Sequence, residues 1–274
     1  MSFSGQVAWI TGASSGIGAA LARALAGQGA RLVLSGRNEA ALRDVSSTCG
    51  DCLILPFEAT DHAAARTAAD KAWAWAEPIS GGVDVLVNNA GISQRSLAVD
   101  TDFPVYQRIV DVDLLAPIAL TQALLPRMTA RASGRIVMIS SVAGKVGVPM
   151  RTAYSAAKFG LIGYADALRS EIAHLGVQVH VIAPGSIRTG VSRNALTADG
   201  TPRGVSDRAI ENGLDPDKAA EEMLAAILSG QREIVVAEGV EKQMGEMRRT
   251  PDALFAQMEA LVAGGYVRKM EAEG

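Results

Sequence analysis

Cysteine is scarce: the 274-residue chain holds only Cys49 and Cys52, a C-x-x-C. Zinc ordinarily takes four ligands, and there is no second cysteine pair and no histidine near them in sequence except His62, so no metal site is expected. Two reduced thiols entering a strand is the plain reading. A run of basic residues is also missing, and the formal net charge is −3, which argues against nucleic acid as a partner. No uninterrupted apolar run reaches the ~18 residues that a membrane span needs, and "MSFSGQVAWITGAS" has no basic segment leading into a long apolar one. Neither stable membrane insertion nor secretion is expected, and a cytoplasmic location is. Repeats, low-complexity segments and linkers are absent, so residues 1–274 are expected to form one domain. With 49% hydrophobic and 20% charged residues, the chain has the composition of a globular protein able to bury a large core.

What is present is an alternation. "QVAWIT", "RLVLS", "CLILPF", "DVLVNN", "GRIVMIS", "VQVHVIA" and "EIVVA" read as strands, separated by longer amphipathic or alanine-rich helical patterns. Strands apolar at nearly every position must be covered on both faces, and long crossovers require parallel neighbours. The predicted fold is α/β: a doubly wound, Rossmann-type, seven-stranded and mainly parallel sheet with helices on both faces. Residues 186–213 are too polar and too long for an ordinary connection and suggest a substrate loop. Residues 240–274 read as a C-terminal helical extension, with Met244, Met247, Leu254, Met258 and Leu261 packing against the body or a partner subunit.

The strongest local signal is "TGASSGIG", Thr11 to Gly18, between strand "QVAWI" and the helix that follows. Gly12 allows a sharp turn, Gly16 lets backbone approach a pyrophosphate, and Gly18 allows close helix–sheet packing; Ser14, Ser15 and Ile17 complete the cradle. Free N–H groups at the helix start favour an anion. NAD sites usually carry an acid at the end of the second strand, but "LVLSGRN" offers Arg37 instead. A guanidinium binds a phosphate through two directed hydrogen bonds, so NADP is preferred over NAD.

In "TAYSAAKFG", Tyr154 and Lys158 stand four apart, one above the other on a helix face. Free tyrosine has a pKa of about 10, so a base near neutrality needs a neighbouring positive charge. At ~4 Å a unit charge contributes about 4 kcal/mol at an effective dielectric of about 20, against about 1 kcal/mol in water, so burial decides.

Taken in order, the glycine turn, "NNAG" (Asn88 to Gly91), "ISS" (Ile139 to Ser141) and "YSAAK" resemble the short-chain dehydrogenase/reductase family over nearly the whole chain. The run around Tyr154 is most similar to the hydroxysteroid and lipid-carbonyl reductases. The resemblance implies that Tyr154 is the general acid or base, Lys158 its activator and holder of the nicotinamide ribose, and Ser141 the group that orients the substrate oxygen. It places Asn89, Ala90 and Gly91 beside the adenosine ribose, and Pro184, Gly185, Ile187 and Thr189 in the loop over the nicotinamide carboxamide. Glu58, followed by Ala59, replaces the usual Asp near the adenine; it either accepts from the amino group or faces water.

Asp113 is a departure, standing where most relatives have an Asn that forms a fourth catalytic member. In the family that residue's backbone carbonyl, at a distortion in the helix, holds a water linked to the lysine. An ionised Asp113 close to Lys158 would partly cancel the ammonium field on Tyr154; an Asp that caps or solvates nearby backbone is the other reading. The resemblance further implies a homodimer or homotetramer built on helices at about 102–131 and 152–176. The expected activity is NADPH-dependent reduction of a ketone or aldehyde, reversible as alcohol oxidation. An NAD-dependent alcohol dehydrogenase and a nucleotide-binding scaffold are the alternatives. For the substrate, Leu196, Val205 and Leu214 suggest an apolar wall, while Arg193, Arg203 and Arg208 meet either an acyl carboxylate or water.

Overall fold

The computed structural model describes residues 2–266 and Arg268. Seven strands, β1 (Val7–Thr11), β2 (Arg31–Ser35), β3 (Cys52–Ile54), β4 (Val85–Asn88), β5 (Gly134–Ile139), β6 (Val177–Pro184) and β7 (Glu233–Val236), form one sheet in the order β3-β2-β1-β4-β5-β6-β7. Every neighbouring pair is parallel, so the sheet is wholly rather than mainly parallel. The chain winds outward from β1 in one direction and from β4 in the other, which opens a crevice at their carboxyl ends.

Side-chain alternation divides the core in two. Ala8 and Ile10 of β1 face α1 (Gly16–Gly27), α2 (Glu39–Ser46) and α8 (Pro216–Leu228), whereas Val7 and Trp9 face α3 (His62–Ser80), α5 (Ala116–Ala130) and α6 (Thr152–Ile172). The sheet side of α3 is almost all alanine (Ala65, Ala68, Ala69, Ala72, Ala76), which lets the helix lie close to the large indole of Trp9. Trp9 keeps its polar edge satisfied by donating to Ser35 Oγ at 2.9 Å.

Between α4 (Phe103–Val110) and α5 the chain stays helical through a π turn at Asp111–Leu115. The sequence supplies the cause: Pro117 has no N–H to give the Asp113 carbonyl four residues back, and a widened turn accommodates the loss. The joined helix Phe103–Ala130 has a mean hydropathy of 1.5 over its most apolar 18 residues, enough by length and composition to cross a membrane. Here its apolar side instead packs in the core, through Leu120, Leu124 and Met128.

Residues 186–213 carry one short helix, α7 (Arg208–Glu211), and are fastened to the body by backbone hydrogen bonds. Leu196 N–H donates to the Ser93 carbonyl at 2.7 Å, and Asp102 N–H to the Ala198 carbonyl at 2.9 Å. Leu196 packs with Val105, Ala153 and Ala157, and Leu214 against the main core, while Val205 is 59% exposed; these three do not form the expected apolar wall. The extension forms α9 (Gly239–Met247) and α10 (Asp252–Ala263); residues 267 and 269–274 lie outside the described residues. Within the single chain Met247, Leu254, Met258 and Leu261 are exposed and Met244 is half-buried, so contact with the body is made by other residues. Gly245 lies tight against Val235, and Phe255 is buried beneath the Arg169 guanidinium, 4.3 Å from its ring centroid. A cation–aromatic seam fastens the extension to the body.

Phe255→Ala is expected to lower stability by about 3 kcal/mol, the usual cost of emptying a buried aromatic site. A urea melt checks it: the midpoint should fall with little change of slope.

Candidate active site

The crevice at the strand ends is a cavity of about 830 Å³. Its floor is the glycine turn. Gly12 (φ 64) and Gly16 (φ 53) adopt left-handed backbone that other residues resist. A Cβ at Gly18 would fall 2.3 Å from the Gly12 carbonyl oxygen and 2.5 Å from Asn89 Nδ2, so Gly18 serves loop-on-helix contact more than helix-on-sheet packing. Asn89 locks the turn from the side, donating to the Thr11 carbonyl at 2.9 Å, while the N–H groups of Asn89 and Ala90 both donate to Thr11 Oγ1. Ser15 caps α1 without a side-chain hydrogen bond, which leaves the first-turn N–H groups available to an anion. Ser14, Ile17, Ala59, Ala90, Gly91, Gly185 and Ile187 line the same cavity, as do Arg37 and Glu58. Glu58 is exposed and pairs with Arg37 at 3.6 Å, a surface contact worth little.

The catalytic candidates converge opposite the glycines. Ser141, just past β5, and Tyr154 and Lys158, on α6, all line the cavity. Lys158 Nζ lies 5.7 Å from the Tyr154 ring centroid. The Ser141 hydroxyl accepts from Ala143 N–H at 3.1 Å and donates to the Pro184 carbonyl over a long 3.4 Å, a bond easily exchanged for a substrate oxygen.

Asp113 is fully buried and lies 3.1 Å from Lys158 Nζ. Its other oxygen accepts from Ile92 N–H at 2.8 Å, and Lys158 also donates to the Ile139 carbonyl at 3.0 Å. Gly91 makes room for the pair, because a Cβ there would stand 3.1 Å from the carboxylate and 3.4 Å from the ammonium. Burial raises the Asp113 carboxyl above its ordinary value against the pull of Lys158 and the Ile92 N–H. Burial also works against the Lys158 ammonium, but Asp113 and Tyr154 outweigh it and hold the lysine above its ordinary value. The side chain of Asp113 therefore does both things expected of it, facing Lys158 with one oxygen and satisfying the Ile92 backbone N–H with the other.

One contributor escapes sequence reading. Glu241, on α9, accepts from the Ser186 N–H at 2.6 Å and from its hydroxyl at 2.9 Å. The extension thus braces the Pro184–Thr189 loop, whose Thr189 methyl group would lie 3.1 Å from a Cβ at Gly16. Nothing in the letters links two residues 55 positions apart. Of the arginines considered for the substrate, Arg193 and Arg208 are exposed and only Arg203 is drawn into a cluster. Among the described residues no three of His, Cys, Asp or Glu gather as a metal site, and both cysteines are free thiols.

Comparison with known proteins adds to this geometry. The family described as short chain dehydrogenase matches residues 6–199. Dehydrogenase/reductase SDR family member 7B of Danio rerio is 40% identical over 245 residues, 85% of this chain and 77% of that protein. A metagenomic short-chain oxidoreductase, solved in complex with NADP, superposes with a TM-score of 0.69 at 32% identity, over 88% of this chain and 100% of that one. A Burkholderia phymatum short chain dehydrogenase/reductase, solved with NAD, shares the fold at a TM-score of 0.79 and 22% identity, over 92% and 98% of the two chains. The cradle fits such a dinucleotide, since the turn and the start of α1 line the cavity and no side chain occupies the first-turn N–H groups.

Neutralising Asp113 removes a negative charge in contact with Lys158 and strengthens the ammonium field at Tyr154. Asp113→Asn is expected to move the pH profile of alcohol oxidation to lower values, and an unchanged profile would exclude a side-chain role for Asp113.

Proposed function

This chain belongs to the short-chain dehydrogenase/reductase family of NAD(P)-dependent oxidoreductases, and on that premise we propose that it is an NADPH-dependent reductase of a ketone or aldehyde, reversible as an alcohol dehydrogenase. The observation that carries the reading is the convergence of Ser141, Tyr154 and Lys158 on the cavity whose floor is the glycine turn. When bound, the nicotinamide supplies a hydride to the carbonyl carbon. The protein's part is position and charge. Ser141 gives up its long bond to the Pro184 carbonyl and donates to the substrate oxygen as negative charge develops there. Tyr154 then delivers its proton to that oxygen. Lys158, buried and held charged, stabilises the phenolate left behind, and in a low-dielectric site that effect is several-fold larger than in water.

The NADP preference rests on Arg37. It stands just beyond β2, where an acid would serve NAD, and lines the nucleotide end of the cavity. Its partner Glu58 is exposed and 3.6 Å away, so a 2′-phosphate can displace or share the contact. The cytoplasmic location and the homodimer or homotetramer built on the long helices belong to the same proposal.

Mixing the protein with NADPH and a panel of ketones and aldehydes should give a fall in reduced-nicotinamide absorbance. Tyr154→Phe is expected to cut turnover by about 10²–10⁴-fold while NADPH binding, read by fluorescence, persists. Binding without turnover on any carbonyl would leave a nucleotide-binding scaffold instead. Arg37→Ala should lower kcat/KM with NADPH by about tenfold or more while changing that with NADH little, and parallel losses would overturn the assignment.

A further inference from the structure

Beside the catalytic tyrosine lies a charge cluster that the reaction does not use. Asp207, in the substrate loop, accepts from Arg95 Nε at 2.7 Å and from Arg203, and stands 3.6 Å from Arg151. Three guanidinium groups share this one carboxylate. Glu241, the other carboxylate that favours the Arg151 charge, is committed to Ser186. The cluster stands next to the reaction cavity through its chain neighbours, its own side chains lying outside the lining: Arg151 is three residues before Tyr154, Asp207 three residues before Ile210, and Ser192, which accepts from Arg203 and from the Asp207 N–H, lies between Val191 and Asn194. Tyr154, Ile210, Val191 and Asn194 are all cavity-lining residues.

The three arginines are not equivalent. Arg95 is nearly sealed, at 7% exposure, and donates to Asp207, Ser93 Oγ and the Gln94 carbonyl. Arg203 donates to Asp207 and Ser192. Arg151, 24% exposed, donates no side-chain hydrogen bond among the described residues. Its guanidinium nitrogens reach solvent with no acceptor among the described residues spent on them, so the fork is free to receive a ligand. Burial and the neighbouring Arg95 pull its pKa down, the signature of a cation short of counter-charge, although Tyr154, Asp207 and Glu241 oppose this. The residue before it, Met150, is held at φ 62, a backbone conformation that non-glycine residues seldom adopt and that clusters where function demands it.

We propose that Arg151 anchors an anionic group carried by the carbonyl substrate, a carboxylate or a phosphate ester, with Arg95 and Arg203 supplying the surrounding positive field. Asp207 neutralises one of the three cations and fastens the substrate loop, and the ligand's anion takes the remaining acceptor role. Placement one turn from Tyr154 puts that group a short distance from the reacting carbonyl. The inference rests on the reductase reading for its choice of substrate, not for the existence of the anion site.

The test compares para-carboxybenzaldehyde, para-formylphenyl phosphate and the neutral para-tolualdehyde with NADPH. At least one anionic aldehyde should show kcat/KM about tenfold or more above the neutral one, about 1.4 kcal/mol, and the better of the two identifies carboxylate or phosphate as the preferred group. Arg151→Gln should bring that ratio to within about twofold of unity, Arg151→Lys should keep part of it, and raising the ionic strength should lower it in the unaltered protein. A merely structural role for Arg151 would slow all three aldehydes alike and leave the ratio intact; that result, or a ratio near one in the unaltered protein, overturns the proposal. Calorimetry of benzoate and phenyl phosphate against benzyl alcohol, titrated into the NADPH complex, reads the site without turnover. Anion binding that is lost in Arg151→Gln supports the anchor even where no aldehyde is reduced, an outcome that condemns the reductase reading alone.

Discussion

An ammonium group almost sealed from water governs this site. Lys158 is 3% exposed, and a charge taken out of water is tolerated only where partners replace the hydration it loses. The Ile139 carbonyl and the Asp113 carboxylate provide them, and each imposes its own requirement. The carbonyl must come from the last residue of β5, so the sheet register positions the lysine. The carboxylate must be satisfied in turn, which it achieves through the Ile92 N–H beyond Gly91. The helix carrying Asp113 bulges at that point because Pro117 withholds a hydrogen bond. Strand, glycine turn and distorted helix therefore answer to a single buried charge. A carboxylate in the pair also gives this chain a more polarised arrangement than the Asn of the family pattern would.

The architecture was legible because its physics is local. A strand buried on both faces must be apolar at every position, and all seven such runs became strands. Gly12, Gly16 and Gly18 were readable as a group because each position excludes a side chain for a steric reason. The spacing of Tyr154 and Lys158 placed them on one face, and their side chains do lie together. What remained hidden depended on pairings across long separations or between unlike groups. The helical stripe of methionine and leucine is visible in the letters, but the residue that fastens α10 to the body is Phe255, held by the charged Arg169 and Arg232. No apolar periodicity announces a ring seated under guanidinium groups. Likewise, three arginines from separate segments meet at Asp207 only because residues 186–213 fold back over the body.

The side chain of Asp113 was legible only in part. Its identity marked a departure, but whether the carboxylate would turn outward or inward depended on the helix distortion and on the absence of a side chain at Gly91. Pro117 was the available clue to the first, and the second needed the folded turn.

The bond between Glu241 and the Ser186 backbone ties the family-matched portion of the chain to a helix beyond it. Residues 6–199 match the family description, whereas Glu241 lies beyond it. The segment Pro184–Thr189, which lines the cavity, is therefore braced by a helix outside the family-matched portion. Chimaeras joining this front portion to another relative's C-terminus would exchange, along with the tail, the carboxylate that holds Ser186 in place.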